Sequence, residues 1–478
     1  MDASARRIYG VHLTPIEVFR KFILPEIKPY IYRYLWVDMF AGEGNLVLPL
    51  LELVPPGRRR EFFEKHVFLY DIQEEMVEKA RENAEAYGIP RSLAERNIEV
   101  RDTLIDYPSR LLNRGLPVYH VTNPPYLYLG YIRKHREAWP LLRYFEGENE
   151  GYQDLYQLAL INDARHGLEK MIYIIPTNFL YGYSVSNKIR RDLLKLYTIK
   201  KVVVLEKGVF EETGTNVAIC FFERKKRPGH SPQRFPGMKL YANGSIVRRT
   251  YTLDPRHHYR AGTEFEEFVE RCKAPLPLSV NYYLTLDEVR RCPGDMELEL
   301  IDANTYMGGR YRRLKVRVCR ELYRRVKGNI LFVRTLDTGT RNGRAGLYTI
   351  REIFSVDGVL VTRVKYRTHP IHVFLEPEVP VEDQLLLRDY FNTLLEYFRR
   401  ITDSEFMTTY KYSNAEYTRK YLGLIQVRKL IETFPLLSLN PRSRARLEEL
   451  VGRGDGKALA DFVCEVNRRN ARGPYPTA

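Results

Sequence analysis

The sequence predicts an α/β protein: a mostly parallel seven-stranded sheet covered by helices, followed by a mixed α+β domain whose C-terminal part is helical. Three observations carry that expectation. Short β-rich runs alternate with helix-patterned stretches through the first half, the signature of a parallel sheet buried on both faces. The stretch Arg224–Gly237 (RKKRPGHSPQRFPG), rich in Pro, Gly and positive charge, reads as a linker. Beyond it, strand-like runs separated by Gly-rich turns give way to a helical pattern from Val381 onward.

In order, the β-rich runs are Trp36–Phe40, Val67–Asp71, Ile98–Arg101, Val118–Thr122, Met171–Ile175, Lys201–Leu205 and Asn216–Phe222. Gln73–Tyr87, with its E-E-M-V-E-K-A-R-E-N-A pattern, is the clearest helix between them. The last two runs are separated by only ten residues, too few for a helical crossover, so the final strand is expected to be antiparallel. In the second half, Leu314–Val318, Ile330–Arg334 and Val359–Tyr366 read as strands, and LLLRDYFNTLLEYFRRI as helix. The expected domains are residues 1–228 and 238–478, with 380–478 mostly helical.

Composition excludes several classes. With 44% hydrophobic and 28% charged residues over 478 positions, the chain is globular, not disordered. Its longest apolar stretches, such as Leu46–Leu51 and Met171–Ile175, fall far short of the roughly 18 residues that span a bilayer, so no membrane partner is expected. MDASARRIYGVHLTP holds no apolar signal segment, and a cytoplasmic location is expected. Cys220, Cys272, Cys292, Cys319 and Cys464 are scattered without a CxxC pair, which predicts reduced thiols and no metal site. The 35 tyrosines set against six glutamines hint at a thermophilic source. Charge is uneven: 34 basic and 30 acidic groups in residues 1–230 give +4, whereas 42 and 30 in residues 231–478 give +12. A basic second half points to a polyanion, with a solubilising surface as the plain alternative.

The first chemical motif is Val37-Asp38-Met39-Phe40-Ala41-Gly42-Glu43-Gly44-Asn45, directly after the first strand. Its glycines permit a tight turn and close approach of a ligand to the main chain. Asp71, followed by Ile72, ends the second strand, where a carboxylate can accept from vicinal ribose hydroxyls. Asp102 follows the third strand, placed to accept from an adenine amino group. Two glycines in place of G-x-G-x-x-G favour a nucleoside cofactor without a pyrophosphate, and this order and spacing predict S-adenosylmethionine (SAM). Candidate cofactor contacts are Asp38, Phe40, Ala41, Gly42, Gly44, Asn45, Asp71, Ile72 and Asp102.

The second motif, Asn123-Pro124-Pro125-Tyr126, falls at the carboxyl end of the fourth strand, the edge where open α/β sheets bind ligands. The prolines stiffen the backbone, so the Asn123 amide and the Pro124 carbonyl can act as a rigid pair of acceptors. A planar NH2 supplies two matching donors. Accepting both hydrogens draws its nitrogen toward a tetrahedral shape and frees the lone pair for attack on a sulfonium methyl. A neutral Asn suffices, because the proton becomes acidic only as the new N–C bond forms. Tyr126 offers a π-face to a flat ring.

Together these elements resemble the gamma-group DNA adenine-N6 methyltransferases of restriction–modification systems. Gly10-Val11-His12-Leu13-Thr14-Pro15 is similar to that family's N-terminal G-x-x-x-T-P, and the order of elements agrees over residues 1–225. Gly151–Leu194 adds Asp154-Leu155-Tyr156 opening a helix and IIPTNFLYG ending the fifth strand. The resemblance implies a SAM-dependent catalytic domain, base flipping in duplex DNA, a C-terminal target-recognition domain and a separate cognate restriction endonuclease as a partner. It also implies that Thr14 and Pro15 meet the methionine end of the cofactor, with Glu43 or Asn45 near its amino-acid group and Phe40 along its pocket. Phe210 would stack on the second face of the flipped base. The loop Leu127–Gly151 departs from the family in length and in its Tyr and Arg content. No nuclease domain precedes this half, so a fused restriction enzyme is not expected.

Arg310–Lys327 holds nine basic residues and one acid, and Arg310, Arg312, Arg313, Lys315 and Arg317 are candidate DNA phosphate contacts; a solvated face is the alternative. N-P-P-Y also occurs in enzymes acting on guanine N2 of RNA, cytosine N4 of DNA and glutamine amides of proteins. An RNA methyltransferase (guanine N2 or adenine N6) and a DNA cytosine-N4 methyltransferase therefore stay open, whereas the intact Asn123, Pro124, Pro125 and Tyr126 argue against a DNA-binding subunit with a degenerate site.

Overall fold

The computed structural model describes residues 14–182, 185–206, 216–337, 343–363, 369–409 and 420–471. The chain divides into two compact units, Met1–Ala261 and Gly262–Ala478.

In the first unit nine strands form one sheet: β1 (Leu35–Asp38), β2 (Val67–Asp71), β3 (Ile98–Val100), β4 (Val118–Thr122), β5 (Lys170–Pro176), β6 (Tyr197–Leu205), β7 (Val217–Arg224), β8 (Gln233–Leu240) and β9 (Ile246–Leu253). Their order is β3-β2-β1-β4-β5-β7-β6-β8-β9. From β3 to β5 every pairing is parallel, and β7 runs antiparallel to both β5 and β6. The sheet therefore exceeds the expected seven strands by two. Residues read as a linker instead enter β8, which pairs in parallel with β6, and β9 folds back antiparallel on β8. Gly237 serves packing here, not a turn: a Cβ at that position would strike the Tyr251 ring. The unit accordingly extends to Ala261, past the expected boundary at residue 228.

Around β1, β2, β4, β5 and β7 both sheet faces are buried, which is why these strands read as near-continuous apolar runs. Leu35, Val37, Phe68 and Tyr70 point into one core cluster, and Trp36, Val67 and Leu69 into the other. Helix α1 (Glu74–Ala86) buries Met76, Val77, Ala80 and Ala84 along one stripe, with Glu74 and Glu75 at its positive end. Helix α2 (Leu155–His166) is buried over most of its surface and stops at Gly167, whose φ of 77° suits glycine. Helix α3 (Asn187–Leu196) buries Ile189, Leu193, Leu194 and, unusually, Arg190. The Arg190 guanidinium donates to the carbonyls of Phe179, Gly182 and His258, and burial lowers its pKa to about 9.

The second unit contains helix α4 (Glu264–Arg271), then β10 (Ser279–Tyr282), β11 (Leu284–Thr285), β12 (Met296–Met307), β13 (Arg310–Val318), helix α5 (Arg320–Gly328), β14 (Leu331–Arg334), β15 (Gly346–Thr349), β16 (Gly358–Val361) and β17 (Ile371–Glu376). They form two four-stranded sheets, β10-β17-β14-β15 and β11-β16-β12-β13. Helices α6 (Val381–Thr402), α7 (Pro441–Arg453) and α8 (Gly456–Ala471) follow and share one apolar core with α4. The cysteines depart from the expected reduced set. Cys272, just after α4, is bonded to Cys464 of α8, 192 positions along the chain, with Cα atoms 4.5 Å apart; Cys220, Cys292 and Cys319 are free thiols. Neither bonded residue lies in a short motif, because the bridge joins two helices brought together by packing.

Among the described residues, no helix is long and apolar enough to cross a membrane, and no group of three or more His, Cys, Asp or Glu is set to hold a metal.

Candidate active site

Strand β1 has β2 on one side and β4 on the other, so the chain reverses direction across the sheet at β1/β4. The crevice outside the carboxyl ends of strands at such a switch is the binding edge of this architecture. A cavity opens there, and Thr14, Asp38, Phe40, Ala41, Gly42, Glu43, Asn45, Asp71, Ile72, Asp102, Asn123 and Pro125 all line it. Residues more than a hundred positions apart are thus gathered in one place. Pro15, Gly44, Pro124 and Tyr126 are not among its lining residues. Phe210 and residues 10–13 lie outside the described residues.

The loop after β1 is shaped by its own hydrogen bonds. Asp38 Oδ1 accepts from the Phe40 N–H (3.0 Å) and from Thr122 Oγ1 (2.6 Å). The Ala41 N–H reaches the Tyr70 carbonyl at 2.9 Å, bending the chain back over β2. Gly44 takes φ +84°, and a Cβ there would run into the Leu48 side chain, so glycine is required on both counts.

Asp71 accepts the Gly42 N–H at Oδ2 and the Gln73 N–H at Oδ1, each at 2.9 Å. An ionised carboxylate offers about four lone-pair sites, so acceptor capacity remains for a ligand hydroxyl. Burial pushes the Asp71 carboxyl above its ordinary pKa, opposed by these backbone donors. Asp38 is pushed up to about 6, chiefly by burial.

Asn123 stands just beyond β4. Its Nδ2 donates to Thr14 Oγ1 at 3.1 Å, and its Oδ1 accepts from the Tyr126 hydroxyl, which also approaches the Ile174 carbonyl at 2.7 Å. Asn45 Nδ2 reaches the Thr14 carbonyl at 3.4 Å. Thr14 thereby joins the glycine loop to the Asn-Pro-Pro-Tyr turn. The Tyr126 ring is partly buried against both core clusters and meets Tyr156 edge-on at 6.4 Å, and burial holds its hydroxyl well above the usual phenol range.

Sequence reasoning missed part of the wall. Leu141 and Tyr144, from the segment of unusual length, line the cavity with Arg101, Thr103, Leu104 and Leu155. The Tyr144 hydroxyl donates to Asp102 Oδ2 at 2.7 Å, so the segment fixes the carboxylate expected to meet an adenine amino group. The mixture of Tyr and Arg in that segment was the available signal, but its 3-10 turns follow no helix or strand period.

The basic stretch separates into β13 and α5 as its pattern suggests, and β13 is an edge strand. Arg313 and Lys315 pair with Glu299 (3.3 Å) and Glu297 (2.9 Å) of β12. Arg310, Arg312 and Arg317 are exposed and carry no ion pair among the described residues. Charged side chains on an edge also discourage pairing with other chains, a role independent of DNA.

Residues 9–259, more than half of the chain, match the N-6 DNA Methylase family. The chain belongs to that family. The N-6 DNA methylase match spans the first unit's site as described. The type II restriction enzyme and methyltransferase RM.BcgI of Heyndrickxia coagulans is 24% identical over 197 residues, covering 40% of this chain and 27% of that protein. Among solved structures, the type IIL restriction-modification enzyme MmeI in complex with DNA superposes with a TM-score of 0.51 at 12% identity, covering all of this chain and 78% of that one. That likeness is one of fold. A modification subunit of a putative type I restriction enzyme from Vibrio vulnificus YJ016 covers 48% of this chain and 47% of that chain at 19% identity, with a TM-score of 0.36. The chain thus spans about a quarter of the curated relative and about half of the Vibrio subunit.

Proposed function

We propose that this N-6 DNA methylase transfers a methyl group from SAM to the N6 amino group of adenine in duplex DNA, with the target base turned out of the helix. The observation that carries the reading is the convergence of Asn123 with Asp38, Asp71 and Asp102 on one cavity at the sheet's switch point. The donor set suits the cofactor: Asp71 would accept from ribose hydroxyls, Asp102 would accept from an adenine amino group, and the buried Asp38 carboxyl suits a cationic amino-acid end. When bound, SAM supplies an electrophilic methyl group. Asn123 Oδ1 and the Pro124 carbonyl accept the two amine hydrogens, and the Tyr126 and Thr14 contacts hold the amide in place while they do so. Transfer of labelled methyl to DNA and RNA pools, with the modified nucleoside identified, tests this directly. N6-methyladenine in DNA is expected; label confined to RNA or protein, or found as N4-methylcytosine, overturns it.

Replacing Asp71 by Ala weakens SAM binding by about 1–3 kcal/mol, the usual cost of removing a charged acceptor, with little change in turnover at saturating cofactor. Calorimetry reads this, and unchanged affinity would remove Asp71 from the ribose site.

The second unit, on this reading, binds the target duplex, with Arg310, Arg312 and Arg317 on phosphates. Changing these three to Gln should lower affinity equally for target and unrelated sequences. It should also flatten the slope of log affinity against log salt by about 0.9 for each phosphate no longer neutralised. Because Arg313 and Lys315 are compensated by Glu299 and Glu297, their replacement flattens the slope less. An unchanged slope in the triple variant makes β13 a solvated edge and nothing more.

A further inference from the structure

Met39 lies between Asp38 and Phe40, where the chain leaves β1 for the glycine loop. Both of its backbone polar groups are held by side chains from other elements. Its N–H donates to His120 Nε2 at 3.0 Å, and its carbonyl accepts from Thr103 Oγ1 at 3.0 Å. His120 sits within β4 and is completely buried. Because its Nε2 accepts, its proton resides on Nδ1 and is donated to Asp163 Oδ2 at 2.5 Å. The same carboxylate receives the Tyr173 hydroxyl at 2.6 Å and the Tyr107 hydroxyl at 3.1 Å. Thr103 is held in turn, its carbonyl accepting from Asn162 Nδ2 at 3.1 Å.

Asn162 and Asp163 are neighbours on α2. The two sides of the Met39 backbone are therefore traced, each through one intermediary, to a single turn of one helix. The start of α2 also holds the segment after Asn-Pro-Pro-Tyr: Asp154 Oδ1 accepts the Leu127 N–H and the Gln153 carbonyl accepts the Leu129 N–H, both at 2.9 Å. One buried helix carries the cofactor loop at one end and the post-motif segment at the other.

Packing alone does not call for this arrangement. His120 occupies an apolar strand interior in V-Y-H-V-T, where Leu or Val would fill the space, and Asp163 is 1% exposed on a helix whose buried positions are mostly apolar. Buried polar networks of this kind often add nothing to stability over a hydrophobic replacement; what they supply is a defined geometry. We propose that His120 and Asp163 are positioning residues for the cofactor. By fixing Met39 from behind, they set where Asp38 and Phe40 present themselves in the cavity. This rests on the reading of that cavity as the SAM site.

The test uses the full chain and measures SAM affinity by calorimetry alongside steady-state methyl transfer. His120→Leu leaves the Met39 N–H without its acceptor and should raise the dissociation constant for SAM about tenfold, the loss falling on KM for SAM more than on kcat. His120→Gln, whose amide can both accept from Met39 and donate to Asp163, should restore affinity to within about threefold of wild type. Thr103→Val, which removes only the donor to the Met39 carbonyl, should weaken binding in the same direction by less. A role confined to stability would lower melting temperature in His120→Leu without the KM effect and without rescue by Gln. Wild-type affinity in folded His120→Leu, or equal losses in the Leu and Gln variants, overturns the proposal. If His120→Leu does not fold, unchanged affinity in Thr103→Val overturns it instead. A wild-type protein that does not bind SAM refutes the cofactor reading, which is a separate outcome.

Discussion

Asn123→Ala lowers turnover about a hundred- to a thousandfold at saturating SAM and DNA, the scale seen when one preorganised polar partner of a transition state is removed. The reasoning is local. The Tyr126 hydroxyl occupies one lone pair of Asn123 Oδ1, and Thr14 Oγ1 takes an Nδ2 hydrogen, so the amide cannot rotate away. Held in this orientation, Oδ1 is the acceptor proposed for a target amine, whose hydrogens become acidic only as the new bond to carbon forms. An acceptor that matters chiefly at that stage affects kcat more than cofactor affinity. Single-turnover kinetics with calorimetry on the same preparation separates the two. A variant that loses SAM binding and keeps its single-turnover rate would mean that Asn123 serves the cofactor and not the chemistry.

Reduction of the Cys272–Cys464 bridge destabilises residues 262–478 by up to about 5 kcal/mol, the chain-entropy value for so long a closed loop. The bond ties the end of α4 to α8 across 192 residues and is buried in the core those helices share. Scanning calorimetry with and without reductant should show a drop on the order of 10–20 °C for the second unit's transition, and little change in the first unit's, where the single cysteine Cys220 is a buried free thiol. Thiol titration of the denatured, unreduced chain should find three groups, and five after reduction. Five thiols before reduction, or identical thermograms, would show that the bridge does not form in solution.

Much of the first unit was legible in the sequence, and the reasons are physical. β2 (VFLYD) and β4 (VYHVT) fall at their expected bounds because each is a short, fully buried β-rich run closed by a polar residue. β6 begins four residues before the expected start, because Tyr197–Lys200 alternates buried and outer positions and so lacks the continuous apolar run by which Val202–Leu205 was recognised. The last two strands of the sheet escape the sequence for a different reason. Pro236 and Gly237 in R-F-P-G signal a turn, yet the glycine is there to admit the Tyr251 ring. At the site, Asp38, Asp71, Asp102 and Asn123 could be singled out because each ends or closely follows a strand at the same sheet edge. His120 and Asp163 could not: they are 43 residues apart, His120 interrupts an apolar strand and Asp163 falls in the polar end of a helix, where such residues have many ordinary explanations. The same holds for Cys272 and Cys464, whose pairing depends on how α4 and α8 come together.

Asp38 has a thermodynamic side that its place in the loop conceals. Its carboxyl titrates near 6 in the folded chain against an ordinary value of 3.8, raised chiefly by burial. A folded-state pKa above the unfolded one means that the folded form holds the proton more tightly. This group's contribution to stability is therefore full below about pH 4 and is lost as pH rises through 6, a difference of about 3 kcal/mol. At neutral pH the empty loop thus carries a buried anion that the fold tolerates at a loss. A positively charged occupant of the cavity removes the loss by supplying a counter-ion, so part of its binding energy is a desolvation cost already borne by the protein. Selection for a more stable empty protein would act against the anion that makes the pocket attractive to a cation.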